Sequence, residues 1–148
     1  MFYYGAVTRA VIRRQAGVHW IAPNPAVDMG YSFAIVEDDE LLQHLTERVL
    51  SKAFKGCHIT VFADGVEALA HGEHGQWDLM IVDDRMPRMG GIGLVKELRA
   101  RGTDIPIIMY SNAPESEASG RAAGINDFLY KAELDRLPDL VRKWIMRN

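Results

Sequence analysis

Short apolar runs alternate along this chain with longer segments in which apolar residues recur every three or four positions. The short runs are rich in Ile, Val, Phe and Leu, the composition expected of strands that are buried on both faces of a sheet. The longer segments have the spacing of amphipathic helices. This alternation predicts an α/β fold in which helices cover a parallel sheet on both sides.

The pattern defines five strands and four clear helical segments. The predicted strands are Phe33–Val36, Ile59–Phe62, Leu79–Val82, Ile107–Tyr110 and Phe128–Tyr130. The apolar positions with helical spacing begin at Leu41, Val66, Leu94 and Leu137. Because the connections between these elements are short, we expect one doubly wound domain over residues 31–148.

Residues 1–30 differ in character from the rest of the chain. They contain three arginines, no acidic residue before Asp28, and a Pro23-Asn24-Pro25 stretch that interrupts regular structure. They lack the run of about twenty apolar residues that a membrane helix requires, and their charges are not arranged as in a secretory signal. We expect an N-terminal extension, either a leader or the result of a misassigned start with Met29 as the natural one, in preference to an amphipathic arm.

The composition narrows the classes of function. A chain of 148 residues has room for one ordinary domain and no second catalytic one. The net charge of -3 argues against nonspecific binding of nucleic acid, because phosphate contacts need a basic face. The single cysteine, Cys57, excludes an internal disulfide and is compatible with a reducing cytoplasm. We therefore expect a cytoplasmic protein whose partners are proteins, with no nucleic acid and no membrane among them.

Polar residues follow the predicted strands where a parallel sheet binds its ligands, at the carboxyl ends. They are Glu37, Asp38, Asp39, Asp83, Asp84, Ser111 and Lys131. Any one of these acids alone is explained by a helix cap or a turn. Several carboxylates at one edge repel each other unless a cation or a shared proton compensates, and a few carboxylates plus waters suit octahedral Mg²⁺.

Lys131 and Ser111 supply the complementary donors. An ammonium and a hydroxyl both donate hydrogen bonds to phosphoryl oxygens. If a carboxylate attacks phosphorus, an aspartyl phosphate forms, with Mg²⁺ and Lys131 offsetting its charge. We expect Asp83 to be this nucleophile, since a third strand is usually central and lies between the acids and the donors.

Four spaced motifs resemble the receiver domains of two-component response regulators, from about Phe33 to the C-terminus. The segments 35–39 and 82–87 look like the family's acidic-pair strand and phosphoacceptor loop, and Ser111 and Lys131 look like its switch hydroxyl and its lysine. The chain is most similar to single-domain, chemotaxis-regulator-like members. The resemblance implies a flavodoxin-like (βα)5 fold with strand order 2-1-3-4-5.

The resemblance also assigns roles to individual residues. It implies that Glu37, Asp38, Asp83 and the backbone carbonyl of Arg85 hold Mg²⁺. It implies that Asp83 is phosphorylated and that the ring of Phe128 moves with Ser111.

Three positions depart from the family's pattern. Ala132 stands where proline usually follows the lysine, which affects the geometry that holds Lys131. Asn112 replaces the small residue after the switch hydroxyl, where its amide would crowd the phosphoryl pocket or donate a further hydrogen bond. Gly90 stands where an aspartate usually caps the next helix, so that cap should be weaker.

The resulting hypothesis is a phosphorylation switch. A histidine kinase or histidine phosphotransfer protein donates, Asp83 accepts, and the altered surface selects a downstream effector protein. The chain would then be a signalling phosphoacceptor with self-catalysed aspartyl phosphorylation and dephosphorylation only, and not an enzyme acting on other substrates. The alternatives are a phosphorylation-independent receiver-like adaptor and, in third place, a Mg²⁺-dependent phosphatase, for which the chain has no spare length to form a substrate cap.

Two weaker signals are interpreted structurally. His71, Glu73 and His74 lack the spacing of a zinc site. The tryptophans at 77 and 144 are predicted to be packing residues.

Overall fold

The computed structural model describes residues 30–71 and 76–146, which contain five strands and five α-helices. In chain order these elements are β1 (Ser32–Val36), α1 (Glu40–Ala53), β2 (His58–Phe62), α2 (Gly65–Ala70), β3 (Leu79–Val82), α3 (Gly91–Ala100), β4 (Ile107–Ser111), α4 (Glu115–Ala123), β5 (Asp127–Tyr130) and α5 (Leu137–Ile145), with a 3-10 helix over Lys131–Arg136. Each predicted strand is present, with ends that differ by at most one residue. The predicted extension lies outside the described residues except for Gly30.

The strands form one parallel sheet in the order β2-β1-β3-β4-β5. This order confirms the doubly wound fold that the resemblance implied. The pairing of Val36 with Val82 brings the ends of β1 and β3 side by side, and the amide of Asp83 donates to the carbonyl of Val36 at 2.9 Å. Glu37 and Asp83 are therefore placed next to each other by the sheet itself.

Both faces of the sheet are buried, which explains why the strands show no polar alternation. One face carries Ala34, Met80 and Val82 and packs against α2, α3 and α4. The other carries Phe33, Ile35 and Ile81 and packs against α1 and α5. Within the described ranges, no helix is long and apolar enough to cross a membrane.

Trp77 and Trp144 pack as predicted. Trp77 is buried in the first cluster, with its ring centroid 5.5 Å from that of Phe62, and Trp144 is partly buried against the second. His71 also packs on these rings, at 5.2 Å from Phe62 and 5.9 Å from Trp77. Its position is therefore explained by packing, whereas Glu73 and His74 lie outside the described residues.

The loop between β3 and α3 depends on close backbone approaches. A Cβ at Gly90 would lie 2.5 Å from the carbonyl oxygen of Asp84, so only glycine fits there without movement of the loop. As expected for glycine at this position, α3 begins without a side-chain cap. The same loop holds Arg88 at φ 64, where its guanidinium pairs with the buried Asp64, Nε to Oδ2 at 2.6 Å. This ion pair fixes the loop to the start of α2.

Candidate functional site

A cleft of about 450 Å³ opens at the carboxyl ends of the strands. Its walls come from the loops after β1, β3, β4 and β5, as the sequence predicted for ligand binding in a parallel sheet. The lining residues are Glu37, Asp38, Asp39, Leu42, Asp83, Arg85, Ser111, Asn112, Ala113, Pro114, Glu115 and Lys131.

Three carboxylates converge in this cleft. Glu37, Asp38 and Asp83 each offer an oxygen, and these oxygens all lie within 4.8 Å of one another. Glu37 and Asp83 are only 2% and 5% exposed, whereas Asp38 is exposed. Like charges this close and this buried strongly disfavour full ionisation unless positive charge is present.

Lys131 provides part of that charge. Its Nζ lies 3.0 Å from Oε2 of Glu37 and 3.2 Å from Oδ2 of Asp83. The lysine reaches both acids although Ala132 follows it, and no described peptide bond is cis. One ammonium among three carboxylates leaves excess negative charge in the cleft.

The pKa values reflect this imbalance. Burial raises the pKa of Glu37 to about 7, and the charge of Asp83 adds to the shift while Lys131 opposes it. Burial likewise raises the pKa of Asp83 above its ordinary value, against the effect of Lys131. Burial alone would lower the pKa of Lys131, but its contacts with Glu37 and Asp83 outweigh burial and raise it. The site is therefore electrostatically unfavourable when no cation is bound.

The carboxylates meet the requirements of a Mg²⁺ site. Oε1 of Glu37 accepts a hydrogen bond from the amide of Asp39 at 3.2 Å, which orients the carboxylate. Oε2 is buried and has no partner with hydrogen-bond geometry, although the Lys131 ammonium is near. An available buried oxygen and a donor set made only of carboxylates suit a hard divalent cation.

The remaining predicted residues lie around this cluster. Ser111 is buried, and its Oγ accepts a hydrogen bond from the amide of Ala113 at 3.1 Å. Asn112 is exposed at the rim. Phe128 lies in the core outside the cleft lining, with its ring centroid 5.1 Å from that of Tyr130. Ser111 thus lines the cleft, whereas the side chain of Phe128 packs in the core.

Two of the acids at the sheet edge serve other purposes. Asp39 caps α1 by accepting a hydrogen bond from the amide of Leu42 at 3.0 Å. Asp84 accepts a hydrogen bond from the hydroxyl of the buried Ser116 in the first turn of α4. The sequence placed these acids at the correct edge, but it did not reveal which of them turn away from the cluster.

A second contact joins the same loop to α4. The guanidinium of Arg85 pairs with the carboxylate of Glu115, and both side chains are exposed at the mouth of the cleft. Residues 84 and 85 therefore contact residues 116 and 115. Neither contact was foreseen, because each joins positions about thirty residues apart in the chain.

Comparison with known proteins places the sheet and the cleft in one family. Residues 33–142 match the family model described as response regulator receiver domain. The chain is 31% identical over 105 residues to the response regulator MprA of Mycobacterium bovis (strain BCG / Pasteur 1173P2), covering 70% of this chain and 45% of that protein. It thus spans about half the length of the curated relatives it matches.

Two solved structures show the same similarity. The receiver domain of the sensor histidine kinase PA1611 from Pseudomonas aeruginosa PAO1, solved with a magnesium ion coordinated in the active site cleft, is 28% identical with a TM-score of 0.71, covering 80% of this chain and 99% of that one. The chemotaxis protein CheY4 of Vibrio cholerae is 28% identical with a TM-score of 0.68, covering 77% and 98% of the two chains.

Proposed function

Because the chain belongs to the response regulator receiver family of two-component signalling, we propose that it accepts a phosphoryl group on Asp83 and thereby changes which protein it binds. The donor is a histidine kinase or a histidine phosphotransfer protein, and the reader of the phosphorylated surface is a downstream effector protein. The chain catalyses its own phosphorylation and dephosphorylation and acts on no other substrate.

The observation that carries this proposal is the pairing of Asp83 with Lys131 inside the cleft. Oδ1 of Asp83 accepts a hydrogen bond from the amide of Asp84 at 2.8 Å, while Oδ2 lies 3.2 Å from Nζ of Lys131. The carboxylate is therefore held by its own backbone on one side and neutralised on the other. In the reaction, a carboxylate oxygen forms a bond to phosphorus as the bond to the donor's leaving group breaks, and that group departs with the electron pair.

We propose that Mg²⁺ is held by Glu37, Asp38, Asp83 and the backbone carbonyl of Arg85. When bound, the ion neutralises the phosphoryl oxygens and the excess negative charge of the cluster. The magnesium in the cleft of the PA1611 receiver supports this assignment. Lys131 then pairs with a phosphoryl oxygen.

Ser111 and Phe128 are proposed to carry the response. The hydroxyl oxygen of Ser111 accepts a hydrogen bond from the amide of Ala113, and this contact does not use the hydroxyl hydrogen. It can therefore be donated to a phosphoryl oxygen. We propose that Phe128 follows this movement and alters the surface around β5.

One observation favours the alternative of a phosphorylation-independent adaptor. The paired side chains of Arg85 and Glu115 are among the residues that line the cleft, and so is Asn112. We infer that these side chains reduce the space through which a phosphoryl donor would reach Asp83.

Incubation with acetyl phosphate and Mg²⁺ followed by intact-mass measurement separates the two functions. The wild type should gain one phosphoryl group, and Asp83→Asn should gain none. Asp39→Asn is the matched control, because this acid lies at the same edge, caps α1 and stays outside the cluster. A folded wild type that gains no phosphoryl group would reject the switch in favour of the adaptor.

A further inference from the structure

Tyr110 contacts both ends of Lys131. It is the residue of β4 directly before Ser111 and is 2% exposed. Its hydroxyl donates a hydrogen bond to the backbone carbonyl of Lys131 at 3.1 Å. Its ring lies beneath the ammonium, with Nζ 5.8 Å from the ring centroid, within the range of a cation–π contact. One buried side chain thus touches the backbone and the charged group of the same lysine.

Lys131 needs such support because of where it lies. It is the first residue of the 3-10 helix that follows β5, so its backbone is leaving the sheet. Its long side chain loses much rotational freedom when the ammonium is fixed between two acids. Ala132 does not restrict the backbone of the preceding residue as a proline would.

Tyr110 has the rigidity to supply the support. It pairs with Leu129 in the register of β4 and β5, and both residues are buried. Burial raises the pKa of Tyr110 to about 12, so the hydroxyl remains a hydrogen-bond donor at neutral pH.

We propose that Tyr110 is a positioning residue for Lys131. Its hydroxyl fixes the backbone at the turn after β5, and its ring holds the ammonium within reach of Asp83. The inference rests on the proposed function, because a fixed Lys131 ammonium matters only if it pairs with a phosphoryl group on Asp83. It adds to that function a residue that is not among the proposed metal ligands and acts through Lys131.

Two substitutions separate the two contacts. Tyr110→Phe removes only the hydroxyl and keeps the ring, and it should slow phosphorylation by acetyl phosphate about two- to tenfold, the value of one net hydrogen bond. Tyr110→Leu removes both contacts and should slow it further. Tyr130→Phe is the matched control, because Tyr130 is the last residue of β5, directly precedes Lys131 and is exposed.

Three measurements on the full chain test the proposal. Intact mass gives the phosphorylation rate, calorimetry gives the Kd for Mg²⁺, and NMR gives the Lys131 Cε–Hε resonance, which the ring of Tyr110 shifts. We expect slower phosphorylation in both Tyr110 variants with the Kd for Mg²⁺ within about twofold of wild type, and a displaced Lys131 resonance in Tyr110→Leu. A purely structural role would instead weaken Mg²⁺ binding in parallel with the rate.

The outcomes distinguish this inference from the proposed function. If folded Tyr110→Phe and Tyr110→Leu are phosphorylated as fast as wild type, the positioning role is refuted while Asp83 remains the acceptor. If wild type is not phosphorylated at all, the proposed function fails. An unchanged Lys131 resonance in Tyr110→Leu refutes the contact in either case.

Discussion

Replacing Glu37 by glutamine should stabilise the protein at alkaline pH when divalent cations are removed. The Glu37 carboxylate is 2% exposed and lies beside Asp83, and Lys131 is its only ion-pair partner among the residues that the structure describes. Glutamine has almost the same shape and no charge. The substitution therefore removes the repulsion without opening a cavity.

The size of the effect follows from the pKa of Glu37. The folded protein raises this pKa from 4.5 to about 7. Each pKa unit corresponds to about 1.36 kcal/mol, so the ionised carboxylate costs about 3 kcal/mol in the folded state. The pKa of Glu37 is higher in the folded protein than in the unfolded chain. The stabilisation that comes from the protonated carboxyl is therefore fully present below about pH 4.5 and is lost as the pH rises through about 7.

Urea unfolding at pH 5 and pH 8 in the presence of a chelator measures this cost. Wild type should lose stability between the two values, whereas Glu37→Gln should lose less and be the more stable protein at pH 8. Glu97→Gln, at an exposed position on α3, is the control and should behave as wild type. Added Mg²⁺ should stabilise wild type more than Glu37→Gln.

A refuting result is easily recognised. If wild type and Glu37→Gln unfold at the same urea concentration at pH 8 in chelator, the acidic cluster carries no electrostatic cost. The case for a compensating cation would then lose its physical basis.

Further substitutions at three positions probe the loop between β3 and α3. Ser116→Ala should lower the free energy of unfolding by about 1–2 kcal/mol, because it removes a partly buried hydrogen bond to the Asp84 carboxylate; a urea midpoint equal to that of wild type would contradict this. Asp64→Ala should lower the urea midpoint more than Asp64→Asn, because asparagine still caps α2 and only alanine removes both the cap and all hydrogen bonding to Arg88; equal midpoints would mean that the cap is unimportant. Gly90→Ala should destabilise by about 1–3 kcal/mol, because its Cβ would meet a backbone oxygen; a neutral effect by thermal unfolding would show that the loop moves freely.

The strands were predictable because each is buried on both faces and therefore shows an uninterrupted apolar run. The ends of the strands were less predictable, because the added residues belong to the sheet through backbone pairing and not through apolar character. These residues are Ser32, His58, Ser111 and Asp127. The order of the strands was implied by family resemblance and not by the pattern itself.

The site was predictable at the level of the sheet edge, because parallel strands bring their carboxyl ends together. The direction in which each side chain points could not be predicted from the sequence. Asp38 and Asp39 are adjacent in sequence, yet one joins the cluster and the other caps α1. Tyr110 looked like an ordinary strand residue, because its contact with Lys131 depends on the turn after β5.

The paired contacts between residues 84–85 and residues 115–116 have a mechanical consequence. A single contact would act as a pivot about which α4 could rotate. Two contacts between consecutive residues on each side restrict that rotation, because α4 cannot turn about one of them without breaking the other. We therefore expect a displacement of residues 84 and 85 to move α4 with it, and we expect the loss of either contact to leave the other as a pivot.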